Sequence, residues 1–281
     1  MFSFINQYKP NADDIWYHYC SANSFMSIIK NKTLRFCDLR HMNDKKELSY
    51  AEEMFFEMLN ATKLSSQQRL TIETVLEIMK KNTVLLSMSF SKERDLLSQW
   101  RGYADNAQGF CIGFNAQSFV GLPAHLHKVE YNTEQQKRLI QNAISTIKSL
   151  NVEKLDQNKA TTIAELLELF SIIKHYSFFE EQEYRLVCAL FVDEDSRKGL
   201  FSLDADKEKY KNLLRPIDFR LVNNVPSPFV DVCFQSESEK NVIRQIIIGP
   251  KNSSTRVDLK LFLTTNGIYD VDVSKSASTY R

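Results

Sequence analysis

Glu181 and Glu183 stand two residues apart, with Arg185 beyond them, in the run Glu180-Glu181-Gln182-Glu183-Tyr184-Arg185-Leu186-Val187-Cys188. Side chains alternate along a strand, so a strand here puts Glu181, Glu183 and Arg185 on one face. Gln182, Tyr184, Leu186 and Cys188 then take the other. Like charges this close disfavour double ionisation unless a cation or ligand lies between them. Two roles are open. Arg185 neutralises the pair on a solvated sheet face, or the two acids form a catalytic strand.

Other strand-like segments carry polar groups that could join them. His18 lies between Tyr17 and Tyr19. Ser89 and Ser91 flank Phe90 in Val84-Leu85-Leu86-Ser87-Met88-Ser89-Phe90-Ser91, whose alternation puts the serines on one face. Trp100 and Tyr103 follow on a short helix or turn. Each has a structural reading as well. A histidine among aromatics suits a core or strand edge, serines suit a solvated face, and Trp100 with Tyr103 suits packing. Asn43, Asp44 and Glu47 read most economically as a helix start. His125 and His127 could share one side of a strand, but no neighbouring Cys or acid in the sequence completes a metal set, so no metal is expected.

The order His18, then Ser89-Phe90-Ser91, then Glu181-x-Glu183 resembles the three-motif signature of ADP-ribosyltransferases. Phe90 departs from the threonine usual in the second motif. The resemblance covers three short strands and implies a fold of that type, with NAD as substrate. It implies that Glu183 stabilises positive charge developing at the ribose, by the electrostatic logic of glycosidases. Ser89, with Ser91 on the same face, would hold Glu183 or a ribose hydroxyl. His18 would anchor a ribose or phosphate on the adenosine side. Tyr19, Trp100 or Tyr103 would stack on nicotinamide. Glu181 would help bind or deprotonate an acceptor, whether protein, nucleic acid, a small molecule or water. For this reading His18 and Glu183 must reach one cleft rather than opposite sides of the sheet.

A second resemblance runs from about residue 16 to 250. Tyr17-His18-Tyr19, Met42-Asn43-Asp44 with Glu47, Ser89-Phe90-Ser91, Gln99-Trp100 through Tyr103 to Gly109, and Glu181-x-Glu183-Tyr184-Arg185 together look like a bacterial family known only as a domain of unknown function. Such membership supplies no activity, so function has to be argued from the site. The leading expectation is an NAD-consuming transferase or glycohydrolase, of the kind used as toxin or phage-defence effector. The alternatives are a metal-dependent nuclease using Glu181, Glu183 and Asp44, and a nucleotide-binding or protein-interaction module without turnover.

Composition narrows the classes. With 36 Lys+Arg against 35 Asp+Glu, the formal net charge of +1 gives no broad electrostatic surface for nucleic acid. Only 7 glycines are present, and neither phosphate-loop pattern occurs. The five cysteines are odd in number and never spaced C-x-x-C, which suits reduced thiols in a cytoplasmic protein. No apolar run approaches the roughly 20 residues of a membrane span, so no membrane partner is expected.

The elements that must position these groups read as α+β, in one domain over 1–281 with a mixed or largely antiparallel sheet. Strands are expected at 16–20, 33–37, 84–91, 109–114, 180–188, 229–234, 242–248 and 268–273. Helices are expected after Ser21 or Asn23, from Asp44 to Leu59, over 66–81, and from Ser254 to Asn266-Gly267. Residues 133–173 carry two apolar stripes at helical spacing and are expected as a helical layer or insertion outside the sheet. Residues 193–212 read as a loop and 274–281 as a polar tail.

Overall fold

The computed structural model describes residues 5–41, 47–149, 157–192, 200–202, 213–234 and 242–280. Met42, Asn43 and Asp44 lie outside the described residues, as does most of the 193–212 loop. Among the described residues, eleven strands form one mixed, mostly antiparallel open sheet. Its main path is β11 (Asp272–Lys275), β10 (Ile243–Ile248), β4 (Phe110–Asn115), β1 (Ile15–Cys20), β3 (Thr83–Ser91), β2 (Thr33–Asp38), β9 (Val225–Cys233) and β8 (Asp218–Val222). Among the described strands only β10 and β11 pair in parallel; β6 (Glu183–Val192) joins β3, β5 (His125–Lys128) and β7 (Leu200–Ser202) off that path.

One irregularity of the sheet creates the site. Along one edge β3 pairs continuously with β6, from Thr83↔Phe191 to Ser91↔Glu183. Along its other edge β3 is shared. At its C-terminal end it meets β1 at Tyr17↔Ser91, and at mid-strand it meets β2 at Cys37↔Ser87 and Asp38↔Leu86. Between those contacts β1 and β2 diverge, and the Met88–Phe90 backbone faces a gap.

The principal core covers the sheet face bearing Trp16, Leu34, Phe36, Leu86, Phe90, Ile112 and Phe114. Helix α1 (Ala22–Asn31), capped by Ser21, presses Phe25, Ile28 and Ile29 onto it. The last helix, α7 (Arg256–Thr265), adds Leu259 and Leu263 there. Thr255 and Asp258 form a reciprocal capping box that fixes its start. The opposite face is divided. Over β1, β4 and β10 lies α4 (Leu97–Tyr103), with Trp100 packed among Tyr17, Tyr19, Cys111 and Ile247. Over β3 and β6 lies α6 (Gln157–Ile172), whose Ala164 meets Leu85, Val187 and Ala189.

Helices α5 (Thr133–Lys148) and α6 hold the two stripes expected over 133–173. They lie outside the sheet's named strands, as a helical layer would. Ile140, Ile144, Leu166 and Phe170 share a core with Phe55 of α2 (Glu47–Ala61) and Ile72 of α3 (Ser66–Asn82).

Several boundaries differ from expectation. The strand expected over 180–188 begins at Glu183, because Tyr176–Glu181 form a 3-10 turn ended by Gln182 at φ 41°. Strand β7 interrupts the expected loop over 193–212, and β8 was not expected. The β8–β9 hairpin turns on Asn223 and Asn224, at φ 50° and 65°, the double left-handed step of a type I′ turn. The last strand is shifted to Asp272–Lys275, and the residues beyond it are not a loose tail. The Asp95 carboxylate accepts from Trp100 Nε1 at 2.6 Å, Ser276 Oγ at 2.5 Å and Ala277 N at 2.7 Å.

Candidate functional site

Glu183 is the best-anchored residue of the site. Its side chain emerges on the face opposite the principal core, beside Ser91 across the β3–β6 ladder. Arg185 grips it at both oxygens, with Nε to Oε1 at 2.7 Å and Nη2 to Oε2 at 2.8 Å. Lys174, just past the end of α6, donates to Oε2 at 3.2 Å. The Arg185 Nη1 donates to the Ser171 carbonyl, so α6 also fixes the guanidinium. Burial by itself would raise the Glu183 carboxyl. The charges of Arg185 and Lys174 outweigh it and hold the group down at about 2.

Glu181 reaches the same place by another route. It does not share a strand face with Glu183, because the left-handed Gln182 lies between the 3-10 turn and β6. The turn instead delivers its carboxylate to Lys174 Nζ at 2.6 Å, and Tyr103 approaches the other oxygen at 3.4 Å. The cation between two close acids is therefore Lys174, while Arg185 serves Glu183. All four charges cancel. The pair is not on a solvated face: the side chains of Glu183 and Arg185 are 6% and 3% exposed. Glu181, at 13%, is the more accessible acid.

A cleft of about 800 Å³ takes in this cluster. His18, Tyr19, Ser89, Ser91, Tyr103, Glu181 and Glu183 all line it. Register alone would separate two of them. Tyr17 pairs with Ser91 and so shares the face of Glu183, which puts His18 on the opposite pleat with Phe90. The gap between β1 and β2 joins the two sides, and His18 lies against the open edge of β3. Its Nδ1 donates to the Ser89 carbonyl at 3.1 Å, which leaves Nε2 as an acceptor in the neutral ring. His18 is half-buried, and its desolvation in the cleft pulls the imidazole from 6.5 down to about 4, against the opposing effect of that hydrogen bond.

The sign of this shift makes a test. A histidine whose folded value lies below its unfolded value favours the folded state while neutral. That stability is full above about pH 6.5 and is lost as the pH falls through about 4. Denaturant titrations across this window are expected to show a loss of about 1–2 kcal/mol beyond that of His18→Asn. Parallel profiles for the two proteins would contradict the burial of a neutral ring.

The remaining candidates divide. The Ser89 hydroxyl is buried without a hydrogen-bond partner in good geometry, yet lies near enough to Glu183 to help keep it ionised. Ser91 uses its hydroxyl locally: Oγ donates to the Glu181 carbonyl at 2.7 Å and accepts from Glu93 N at 3.0 Å, tying down the turn before Glu183. Tyr103 is 42% exposed at the cleft. Tyr19 spends its hydroxyl on the Glu93 carbonyl and the Leu96 amide. Trp100 is not a cleft residue. It is fully buried, edge-on to Tyr19 at 4.9 Å, and its neighbour Gln99 lines the cleft instead.

Sequence reasoning missed Lys174, Asn23, Arg35 and Arg220, which line the same cleft. Arg35 forks onto Asp231 at 2.8 and 2.9 Å and stacks over Phe229 at 3.7 Å. The Asn223-Asn224 pair was the signal for the hairpin that supplies Arg220. For Lys174 the signal was a lone cation closing an apolar helix just before two acids. The acid that the β5 histidines lack in sequence comes from α6: His125, His127 and Glu168 form one cluster.

The fold and site define an α+β protein with a split sheet and a charge-compensated cleft in the split. Residues 99–186 match the family model of a protein of unknown function, DUF2971, and support placing the chain with that domain-of-unknown-function family. The matched segment runs from Gln99 through Tyr103, Lys174 and Glu181 to Arg185, so it contains the acid cluster. No curated protein and no solved structure matches the chain. Among the described residues, no helix is long and apolar enough to cross a membrane.

Proposed function

We propose that the cleft binds NAD and that the protein breaks the nicotinamide–ribose bond, as an ADP-ribosyltransferase or NAD glycohydrolase does. The observation that carries this reading is the meeting of His18 from β1, Ser89 from β3 and Glu183 from β6 in one cleft. Its volume of about 800 Å³ lies within the range of small-molecule and cofactor sites. In the reaction the C–N bond breaks and its electron pair leaves with nicotinamide. Positive charge spreads over the ribose, and an acceptor or water bonds to the anomeric carbon and loses a proton. Glu183 is ionised at any physiological pH and supplies a fixed negative charge against that ribose. Glu181 stands nearer the opening, where an acceptor enters. His18, being neutral, accepts from a ribose hydroxyl rather than pairing with a phosphate. Arg35 and Arg220 belong to the other wall and face the pyrophosphate. A protein or nucleic acid as acceptor would suit a toxin or phage-defence effector.

A second reading, a nucleotide-binding module without turnover, is favoured by one observation. Both Glu183 oxygens already accept hydrogen bonds from cations. A nuclease has less support, since the two acids are compensated by Lys174 and Arg185 and Asp44 lies outside the described residues. Purified protein incubated with NAD separates the first two readings. Free nicotinamide above the uncatalysed level supports cleavage. Saturable NAD binding without nicotinamide supports the binding module, and neither result leaves the NAD reading without a basis.

A further inference from the structure

We propose that His125, His127 and Glu168 form a binding site for a divalent transition-metal ion of the zinc class, clamping α6 to the sheet. The two histidines occupy alternate positions of β5, so their imidazoles project to one side. Their pairing opposite Val187 and Arg185 directs that side toward α6. Glu168 comes from α6 and meets them there. Its carboxylate lies 2.9 Å from His125 Nδ1 and 3.1 Å from His127 Nε2. All three donor atoms lie within 4.8 Å of one another. Zinc holds nitrogen at about 2.0–2.1 Å and carboxylate oxygen at about 2.0–2.2 Å, so tetrahedral ligands stand roughly 3.3 Å apart. The present contacts need to open by only a few tenths of an ångström to admit an ion.

The donor set fits the ion chemically. Imidazole with carboxylate suits zinc, cobalt and nickel, and a site of two histidines and one glutamate leaves a coordination position for water. Exposure is graded to match: the side chains of His127 and Glu168 are 2% and 5% exposed, and that of His125 is 27% exposed.

The position gives the ion a consequence. One turn beyond Glu168, Ser171 holds the Arg185 guanidinium through its carbonyl, and Lys174 follows. An ion at the histidines would fix the helix that orients both cations of the acid cluster. The inference stands on its own donor atoms and does not depend on the NAD reading.

The test uses the full chain, stripped by chelator, with Zn²⁺ and Co²⁺ as the probes. One equivalent of either ion is expected to bind at micromolar concentration or tighter. Co²⁺ should give the visible absorption of a four- or five-coordinate site, and Zn²⁺ should raise the melting temperature by several degrees. Glu168→Gln should abolish both effects. Should that buried change prevent folding, His125→Asn alters the part-exposed ligand and should weaken binding at least about tenfold in a folded protein. Absence of a thermal shift and of a cobalt band at 100-fold excess metal would overturn the assignment. Equal metal affinity in His125→Asn would overturn it as well, by placing the ion elsewhere.

Discussion

Glu183→Gln is expected to slow nicotinamide release from NAD by about 10²–10³-fold, the usual cost of losing one well-placed electrostatic contact. Gln keeps the size and removes the charge. The charge matters most in the transition state, so NAD binding should survive better than turnover. The surroundings of Glu183 add a second effect. Its loss leaves Arg185 and Lys174 facing Glu181 alone, an excess of one buried positive charge. Removing one partner of a buried ion pair costs about 3–5 kcal/mol, so the melting temperature should fall too. Turnover is therefore to be measured at a temperature where circular dichroism shows the variant folded. Glu181→Gln is the comparison. Sitting nearer the opening, it should depress transfer to an acceptor more than hydrolysis. Full nicotinamide release by folded Glu183→Gln would remove it from catalysis. Equal loss of both activities in Glu181→Gln would remove the division of roles.

Gly109→Ala is expected to destabilise the fold by about 3 kcal/mol or more, in the upper range for overpacking. A Cβ at Gly109 would lie 2.0 Å from the Cys20 carbonyl oxygen and 3.0 Å from that of Ala104. Both obstacles are backbone, so no rotamer change relieves them. The preceding turn has little slack. Asp105, Asn106 and Ala107 all hold positive φ, at 50°, 49° and 72°. Gly109 N closes the turn onto Ala104 O at 2.8 Å, and its carbonyl accepts from Gly249 at 3.1 Å. Gly102 is the control, being helical with nothing within 4 Å of its would-be Cβ. Gly102→Ala should be neutral or stabilising by up to about 1 kcal/mol. Urea midpoints for the two variants decide, and a Gly109→Ala midpoint matching the native one would refute the close approach.

Local periodicity made much of the fold legible. The α3, α5 and α6 stripes and the alternation of β3 each report a buried face, and burial is what periodicity encodes. The Glu181–Glu183 spacing misled because the same interval can be read as strand. What ends the strand is one left-handed residue, Gln182, and glutamine carries no preference that announces it. The meeting of His18 with Glu183 was expected from the order of the three motifs and not from periodicity. Alternation separates them, and only the divergence of β1 from β2 joins them. Lys174 and Glu168 were missed for a related reason. Each acts across a helix–sheet interface, and the sequence does not say which helix faces which strand.

The split has a mechanical meaning. Strands β1, β4, β10 and β11 form one wing and β2, β9 and β8 another, and both are sewn to the same edge of β3, one at its Ser91 end and the other at mid-strand. The width of the opening between the wings is thus governed by the twist of a single strand. That strand is braced along its whole opposite edge by β6, through nine consecutive residue pairs. On the half of the β3–β6 seam away from the cleft, the buried side chains of Leu85, Leu86, Val187 and Leu190 act as the frame of an aperture, and repacking them would re-size it without touching a residue that lines it.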